Sequence, residues 1–256
     1  MFLPDSNFNL KKAMGTNKPQ EQFFSTDKHL DSIQSHHVLS PIAKKHEKTT
    51  TPSRTNGEYR TLQANLIANH PGSSLKTILF VGASRGVGTS TTSVQYAKSL
   101  AETAKYGVLL IEANYKKPKL HQFFKINLSN GSLGLSYNGN KLNLCKIEPS
   151  KLFVLPYNEN LPGAESIFQS PWFKLMYEKF DYIILDGPTT QDTPDIQSLS
   201  GKVDGIILVI ESGKTRQYVA RQAKKQLFNT GGKLLGVVLN KRKYYIPEFI
   251  YKHLYS

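Results

Sequence analysis

The sequence has little of what secreted or membrane-spanning proteins need. Its one cysteine, Cys145, excludes an intrachain disulfide and a multi-cysteine metal site. No apolar run approaches the ~20 residues that a membrane-spanning helix requires. The first residues, MFLPDSNFNLKK, lack the basic-then-apolar order of a signal peptide. These absences predict a cytoplasmic protein.

Acidic residues are scarce as well. The chain has 19 Asp and Glu against 33 Lys and Arg, which gives a net charge of +14. Such a charge favours polyanionic partners: nucleotides, nucleic acid, an anionic membrane surface or an acidic protein. Residues 212–256 concentrate the excess, with ten Lys or Arg and one acid, Glu248. A generally basic surface without a specific partner is the alternative.

The chain divides by composition near residue 56. Residues 1–55 are polar, with scattered apolar residues, and predict a disordered N-terminal arm because they cannot bury enough surface to offset the entropy of ordering. In EYRTLQANLIANH, the side chains of Tyr59, Leu62, Leu66 and Ile67 form a helical stripe. Residues 56–256 are therefore predicted to form one globular domain.

Within that domain, β-rich apolar runs alternate with helical patterns. The predicted strands are TILFVGAS, GVLLIEAN, KLFVLPY, DYIILDGP, GIILVIESG and LLGVVLN. The predicted helices between them are TSTTSVQYAKSLAETA, AESIFQSPWFKLMYEKF and TRQYVARQAKKQLFN. Continuous apolar strands separated by helices indicate an α/β fold with a mostly parallel sheet covered on both faces.

The stretch VGASRGVGTSTT follows the first of these strands and has the pattern of a phosphate-binding loop. A buried strand, a glycine-rich turn and hydroxyl residues that open a helix would offer backbone N–H groups to phosphate. The predicted nucleotide-binding residues are Gly86, Val87, Gly88, Thr89, Ser90 and Thr91. Ser90 stands where such a loop carries its hydroxyl ligand for Mg²⁺. A packing turn without a ligand is the alternative.

Polar residues end three of the predicted strands. Glu112 and Asp186 are the candidate catalytic acids, and Asp186 is also a candidate Mg²⁺ ligand beside Ser90. Asn240 ends the last strand, where its amide would read an adenine edge or simply form a turn. Because parallel strands end at one edge of a sheet, these side chains are expected at one site.

Taken together, these stretches resemble the cytoplasmic kinase domain of bacterial tyrosine autokinases of capsule and exopolysaccharide export, a branch of the MinD/ParA-like P-loop proteins. The resemblance spans about residues 57–256 and includes EYRTLQANL, RGVGTSTT, VLLIEANYKKPKLHQFF, LFVLPYNENLPGAESIFQS, FDYIILDGP, VDGIILVIESGKT and GVVLNKRKYYIPEFIYKHLY. It implies a three-layer, doubly wound P-loop fold that binds ATP and Mg²⁺.

The same resemblance implies the partners and the cellular location. The expected partner is a membrane-embedded polysaccharide chain-length regulator, which would hold the protein at the inner face of the cell membrane. An anionic membrane surface and a homo-oligomer are further expected partners, and nucleic acid is less favoured. The family's autophosphorylation sites would correspond to Tyr244, Tyr245, Tyr251 and Tyr255. A packed C-terminal helix, IPEFIYKHLY, is the alternative for that segment.

The sequence departs from the family pattern around the phosphate site. Thr89 stands in place of the loop lysine, and the earlier lysine of the MinD-like branch is also absent. The motif IDADLRRP reads IEANYKKP, which puts Glu112 and Asn114 in place of two aspartates, and the assembly motif ExxRxxR is incomplete. We therefore expect weakened or absent phosphotransfer. An active kinase with a substitute cation, such as Arg85, and a ParA-like ATPase that binds DNA or membrane are the alternatives.

Overall fold

A computed structural model describes residues 38–43, 54–126, 133–137, 140–157 and 164–242. The strands in these ranges are β1 (Val38–Ala43), β2 (Thr77–Gly82), β3 (Val108–Glu112), β4 (Leu133–Tyr137), β5 (Asn140–Ile147), β6 (Leu152–Leu155), β7 (Tyr182–Thr189), β8 (Gly205–Glu211) and β9 (Leu234–Arg242). The helices are α1 (Arg54–Asn69), α2 (Thr89–Ala101), α3 (Leu120–Phe124), α4 (Ala164–Gln169), α5 (Pro171–Lys179), α6 (Thr193–Ser200) and α7 (Gln217–Asn229).

The strands form one sheet in the order β1-β9-β8-β2-β7-β3-β6-β5-β4. In this spatial order, the first seven strands, β1-β9-β8-β2-β7-β3-β6, are all parallel to their neighbours. The last two strands, β5 and β4, pair antiparallel at the far edge. Every residue of β2 and β3 is buried, because both faces of the central sheet are covered. The predicted mostly parallel α/β fold is confirmed.

Two apolar cores lie on opposite faces of the sheet. One includes Tyr59 and Leu62 of α1 together with Leu100 of α2. The other includes Met176 of α5 and Leu227 of α7. These two cores produce the three-layer arrangement expected of a doubly wound P-loop domain.

Several local predictions need correction. The run predicted as one helix over 164–180 forms two, α4 and α5, with Pro171 in the first turn of the second. Proline lacks the N–H that would continue a preceding helix, so the break falls there. The side chain of Ile67, predicted on the buried stripe of α1, is 60% exposed. The antiparallel β4–β5 hairpin was not predicted.

The N-terminal arm is not uniformly irregular. Val38–Ala43 form the edge strand β1, which pairs parallel with β9, and the disordered arm over residues 1–55 stays a prediction. An edge strand is stabilised by hydrogen bonds to the strand beside it. The amino-acid composition of the segment does not reveal that such a partner is available. The rest of residues 1–53 lies outside the described residues, and the boundary at 55/56 stays a prediction. No helix in the described ranges is long and apolar enough to cross a membrane.

Candidate functional site

The predicted phosphate loop connects β2 to α2. Gly86 and Gly88 have φ angles of +80° and +93°, in the region that favours glycine. Gly88 caps α2 without a side-chain hydrogen bond, so no side chain competes for the N–H groups of the first helical turn. Such N–H groups, at the positive end of a helix, bind phosphate oxygens.

Thr89 brings no charge to this loop. Its hydroxyl Oγ1 would lie 2.5 Å from a Cβ placed on Gly82, so the side chain packs against the end of β2. This close approach accounts for the glycine at position 82. At the position where the resemblance implies a phosphate-binding lysine, this chain has a neutral side chain.

Asp186 is the most deeply buried acid of the site. It lies on β7 opposite Glu112 of β3 and Phe80 of β2, and its exposed fraction is 0%. Neither carboxylate oxygen has a hydrogen bond of good geometry. Burial raises the pKa of Asp186 to about 6, and the neighbouring hydroxyls of Ser90 and Ser93 offset only part of that rise. A buried carboxylate whose oxygens have no well-aligned hydrogen-bond donor is suited to a cation.

The chemistry of these groups fits Mg²⁺. Asp186 and the hydroxyl of Ser90 are oxygen ligands, and Mg²⁺ in nucleotide sites takes one or two such ligands together with phosphate oxygens and water. The described residues contain no cluster of three or more His, Cys, Asp or Glu that would enclose a metal by itself. Asp186 and the hydroxyl of Ser90 lie side by side, and their role as metal ligands stays a prediction.

The carboxylate of Glu112 is held by backbone hydrogen bonds and is not free in the way a catalytic acid would be. Its Oε2 atom accepts hydrogen bonds from the backbone N–H of Lys119, at 2.9 Å, and of Leu120, at 2.7 Å. These bonds cap the short helix α3 and hold the segment after β3. Burial raises the pKa of Glu112 to about 8, the bond from Leu120 lowers it, and the charge of Asp186 raises it further. In this geometry Glu112 shapes the site, and its catalytic role stays a prediction.

We expect Glu112→Gln to remove a pH dependence of stability. The pKa of Glu112 rises from 4.5 in the unfolded chain to about 8 in the folded one, so the folded state binds the extra proton between these values. Wild-type stability should therefore fall as the pH rises from about 5 to 8, and the amide of the variant should keep the helix cap and remove the part of that fall between about pH 6 and 8, above the pKa of Asp186. The measurement is the melting temperature from pH 5 to 9. Parallel curves for the two proteins would contradict the expectation.

Asn240 joins β9 to the phosphate loop. Its Nδ2 atom donates to the Val87 carbonyl at 2.8 Å, and its Oδ1 atom accepts from the Lys241 N–H at 2.8 Å. A Cβ on Gly88 would lie 2.2 Å from the same Nδ2 atom. The adenine-reading role of Asn240 stays a prediction, since it requires the amide to exchange these partners.

The prediction from sequence missed Lys241 as a residue of this site. Its Nζ atom donates a hydrogen bond to the Gly86 carbonyl and forms an ion pair with Glu211 at 2.9 Å. Arg85, the substitute cation considered from the sequence, is exposed. The available signal was the position of Lys241 directly after Asn240, at the end of a strand that reaches the same sheet edge.

A second group of charged and polar side chains links the segment after β3 to α6. The hydroxyl of Tyr115 donates to Asp195, and the ammonium of Lys116 pairs with Asp195 at 2.8 Å and Asp192 at 3.5 Å. These contacts tie the segment after β3 to the segment after β7. The four predicted autophosphorylation sites, Tyr244, Tyr245, Tyr251 and Tyr255, lie outside the described residues.

The fold resembles that of solved tyrosine kinase domains. The kinase domain of the Escherichia coli tyrosine kinase ETK matches with a TM-score of 0.66 and 17% identity, over 83% of this chain and 94% of that domain. At this identity the match establishes the fold alone. No protein-family model matches the chain.

Sequence comparison is more specific. Tyrosine-protein kinase YwqD of Bacillus subtilis is 33% identical over 201 residues, which cover 76% of this chain and 84% of the relative. Tyrosine-protein kinase CpsD of Streptococcus agalactiae serotype III is 31% identical over 206 residues, covering 78% and 84%. The succinoglycan biosynthesis transport protein ExoP of Rhizobium meliloti is 27% identical over 183 residues, which span 23% of its length. The chain therefore belongs to the bacterial tyrosine-protein kinase family.

Proposed function

We propose that this protein binds Mg·ATP with weakened phosphotransfer and regulates the synthesis or export of capsule or exopolysaccharide. The observation that supports the proposal is a combination at the phosphate loop: the buried Asp186 carboxylate lies beside the hydroxyl of Ser90, two oxygen donors suited to Mg²⁺, while Thr89 supplies no cation. The succinoglycan-related name of ExoP supports the polysaccharide process.

Binding and catalysis depend on the missing charge to different degrees. A charge-assisted hydrogen bond contributes roughly 1.5–3 kcal/mol, and the loop N–H groups and Mg²⁺ supply other contacts to the phosphates. Phosphoryl transfer loses more, because its catalysis consists mostly of positioning and charge stabilisation in the transition state. Nucleotide binding should therefore survive the loss better than transfer does.

Restoring the lysine tests this proposal. Wild-type protein should bind Mg·ATP and incorporate little labelled phosphate, whereas Thr89→Lys should raise incorporation by at least about tenfold, since it returns a cation to the transferring phosphate. The control is Gln95→Lys, which adds the same charge farther along α2, and should leave incorporation at the wild-type level. Both variants are compared by phosphate incorporation at saturating Mg·ATP.

Two results would contradict weakened transfer. One is strong incorporation into the C-terminal tyrosines of the wild-type protein that disappears in Asp186→Ala. The other is an equal response of Thr89→Lys and Gln95→Lys. An active kinase with a substitute cation is the second candidate function, favoured by the contact of Lys241 with the loop.

We further propose that the protein docks on a membrane chain-length regulator and that α7 faces the anionic membrane. Exposed cationic and aromatic side chains cover the outer surface of this helix: Arg216, Tyr218, Arg221, Lys225 and Phe228. Such a surface suits anionic headgroups, with aromatic rings at the interface.

Charge reversal on α7 tests this orientation. Arg221→Glu/Lys225→Glu should weaken binding to phosphatidylglycerol vesicles about 30-fold or more in a co-sedimentation assay, because each of the two basic residues near such a surface contributes about 1 kcal/mol. The matched control is Lys98→Glu/Lys105→Glu, two exposed lysines on α2 and in the turn after it. An equal loss in both pairs would indicate a response to net charge alone and would contradict docking through α7.

A further inference from the structure

We propose that a groove at the amino end of the central sheet binds a phosphorylated sugar. The groove has a volume of about 460 Å³ and lies between the end of α1, the segment after α2 and the start of β7. Small-molecule sites have volumes of roughly 300–1,000 Å³. The choice of a sugar rests on the proposed role in polysaccharide synthesis, whereas the binding of an organic phosphate rests on the groove alone. The lining includes Ile67, Ser73, Lys76, Lys105, Asp181 and Tyr182.

The groove lies at the opposite end of the strands from the phosphate loop. Lys76 immediately precedes β2, whose other end leads into that loop. Asp181 immediately precedes β7, which carries Asp186 near its other end. Six residues of strand, as in β2, span about 20 Å. A ligand in the groove would therefore not touch the nucleotide site, and its binding can be measured without nucleotide.

Two lysines supply cations to the groove. Nζ of Lys76 lies 4.5 Å from the ring centre of Tyr177, and Nζ of Lys105 lies 4.9 Å from that of Tyr106. Across the residues that the structure describes, neither lysine forms an ion pair with an acid. A cation over an exposed ring is held more weakly than one that donates to an anion. Because lysine has a flexible four-carbon stem, both ammoniums can turn to a phosphate.

The carboxylate that lines the groove is held by the backbone. Oδ2 of Asp181 accepts hydrogen bonds from the N–H of Tyr106, at 2.7 Å, and of Gly107, at 3.1 Å. These N–H dipoles offset part of its negative charge, so it repels an anion less than a solvated carboxylate would. A carboxylate can also accept a bond from a sugar hydroxyl. With two lysines and one such acid, the groove favours a ligand that carries both a phosphate and hydroxyl groups.

Hydroxyl groups and an exposed ring add to the chemistry of a sugar site. Oγ of Ser73 accepts a hydrogen bond from Nζ of Lys233 at 3.1 Å, and the hydroxyl of Tyr182 accepts one from Nε2 of Gln63 at 3.3 Å. A hydroxyl that accepts one bond can donate another, so both can pair with a sugar. The side chain of Tyr106 is 63% exposed and offers an apolar face beside the groove. Aromatic surface with a few polar groups is typical of small-molecule sites.

The experiment is calorimetric titration of the full chain, without nucleotide, with glucose 1-phosphate, galactose 1-phosphate and N-acetylglucosamine 1-phosphate. At least one of them should bind about tenfold more tightly than inorganic phosphate and than glucose. Lys76→Gln and Lys105→Gln should each weaken that binding about fivefold, the loss expected for one partly exposed charge contact. The matched control is Lys98→Gln, with an expected change within about twofold. The ammonium of Lys98 also lies over an aromatic ring, that of Phe124, but Lys98 does not line the groove.

Four results would overturn the proposal. The first is that none of the three sugar phosphates binds at concentrations up to about 10 mM. The second is that inorganic phosphate binds as tightly as they do, and the third is that Lys98→Gln weakens binding as much as Lys105→Gln. The fourth is displacement of the sugar phosphate by saturating Mg·ATP, which would place it at the phosphate loop. Melting temperatures verify that each variant is folded.

The failure of this inference can be distinguished from the failure of the proposed function. A chain that binds a sugar phosphate in the groove but no Mg·ATP would retain the inference and refute the proposed nucleotide binding. A chain that binds Mg·ATP but no sugar phosphate would do the opposite.

Discussion

Asp186→Asn is expected to remove the Mg²⁺ dependence of ATP binding while making the nucleotide-free protein more stable at pH 7.5. The asparagine cannot supply an anionic ligand, so affinity for Mg·ATP should fall about tenfold or more. The same change removes a buried charge whose carboxylate oxygens have no good partner. The rise of the pKa from 3.8 to about 6 corresponds to about 3 kcal/mol of destabilisation by the ionised form.

The pH dependence gives this prediction a second readout. The folded pKa of Asp186 lies above its unfolded value, so wild-type stability falls as the pH rises from about 4 to 6. The melting temperature of Asp186→Asn should therefore exceed that of wild type at pH 7.5, and the difference should shrink at pH 5. Titration with ATP, with and without Mg²⁺, measures binding. Glu178→Gln, an exposed change on α5, is the control for loss of one acid.

Two results would contradict this account of Asp186. One is Mg²⁺-dependent binding that persists in Asp186→Asn, which would exclude the carboxylate as the metal ligand. The other is a variant less stable than wild type at pH 7.5. A native Asp186 with a strong partner would produce that second result, because its removal would leave the partner unsatisfied.

Gly88→Ala is expected to destabilise the fold and abolish nucleotide binding. The added Cβ would stand 2.2 Å from Nδ2 of Asn240, in a backbone conformation with φ of +93°. A left-handed conformation costs a side-chain residue about 1–2 kcal/mol, and overpacking costs about 1–3 kcal/mol more. Urea denaturation measures the free energy of unfolding, and ATP titration measures binding.

Two further variants separate the clash from the backbone strain. Gly231→Ala has a similar φ of +72° in open space, so it should show the conformational cost alone. Asn240→Gly alone should be destabilising, because it loses the bonds to Val87 and Lys241. Gly88→Ala should nevertheless cost less stability in the Asn240→Gly background than in the wild type, since the clashing amide is gone. Equal unfolding free energies for Gly88→Ala and Gly231→Ala would show that Asn240 does not press on the loop.

The central sheet and the phosphate loop could be predicted from the sequence because both are local patterns. Apolar runs such as GIILVIE have no polar face, which indicates a strand buried on both sides. The glycines at 86 and 88 stand between such a strand and a helix. Asp186 lies on β7, and Ser90 lies in the first turn of the helix after β2. The two come together because these parallel strands end at the same edge of the sheet. The edge strand β1 and the β4–β5 hairpin have no comparable sequence pattern, because their strand conformation depends on the strands with which they pair.

The sequence by itself determined that this chain is an α/β P-loop protein with a neutral residue where its family places a lysine. The tertiary structure alone decided the functions of the surrounding side chains. Glu112 caps a helix, Asn240 holds the loop, and Lys241 carries its charge to Gly86. These roles arise because β8 and β9 bring residues distant in sequence to the loop, and no local pattern encodes such contacts.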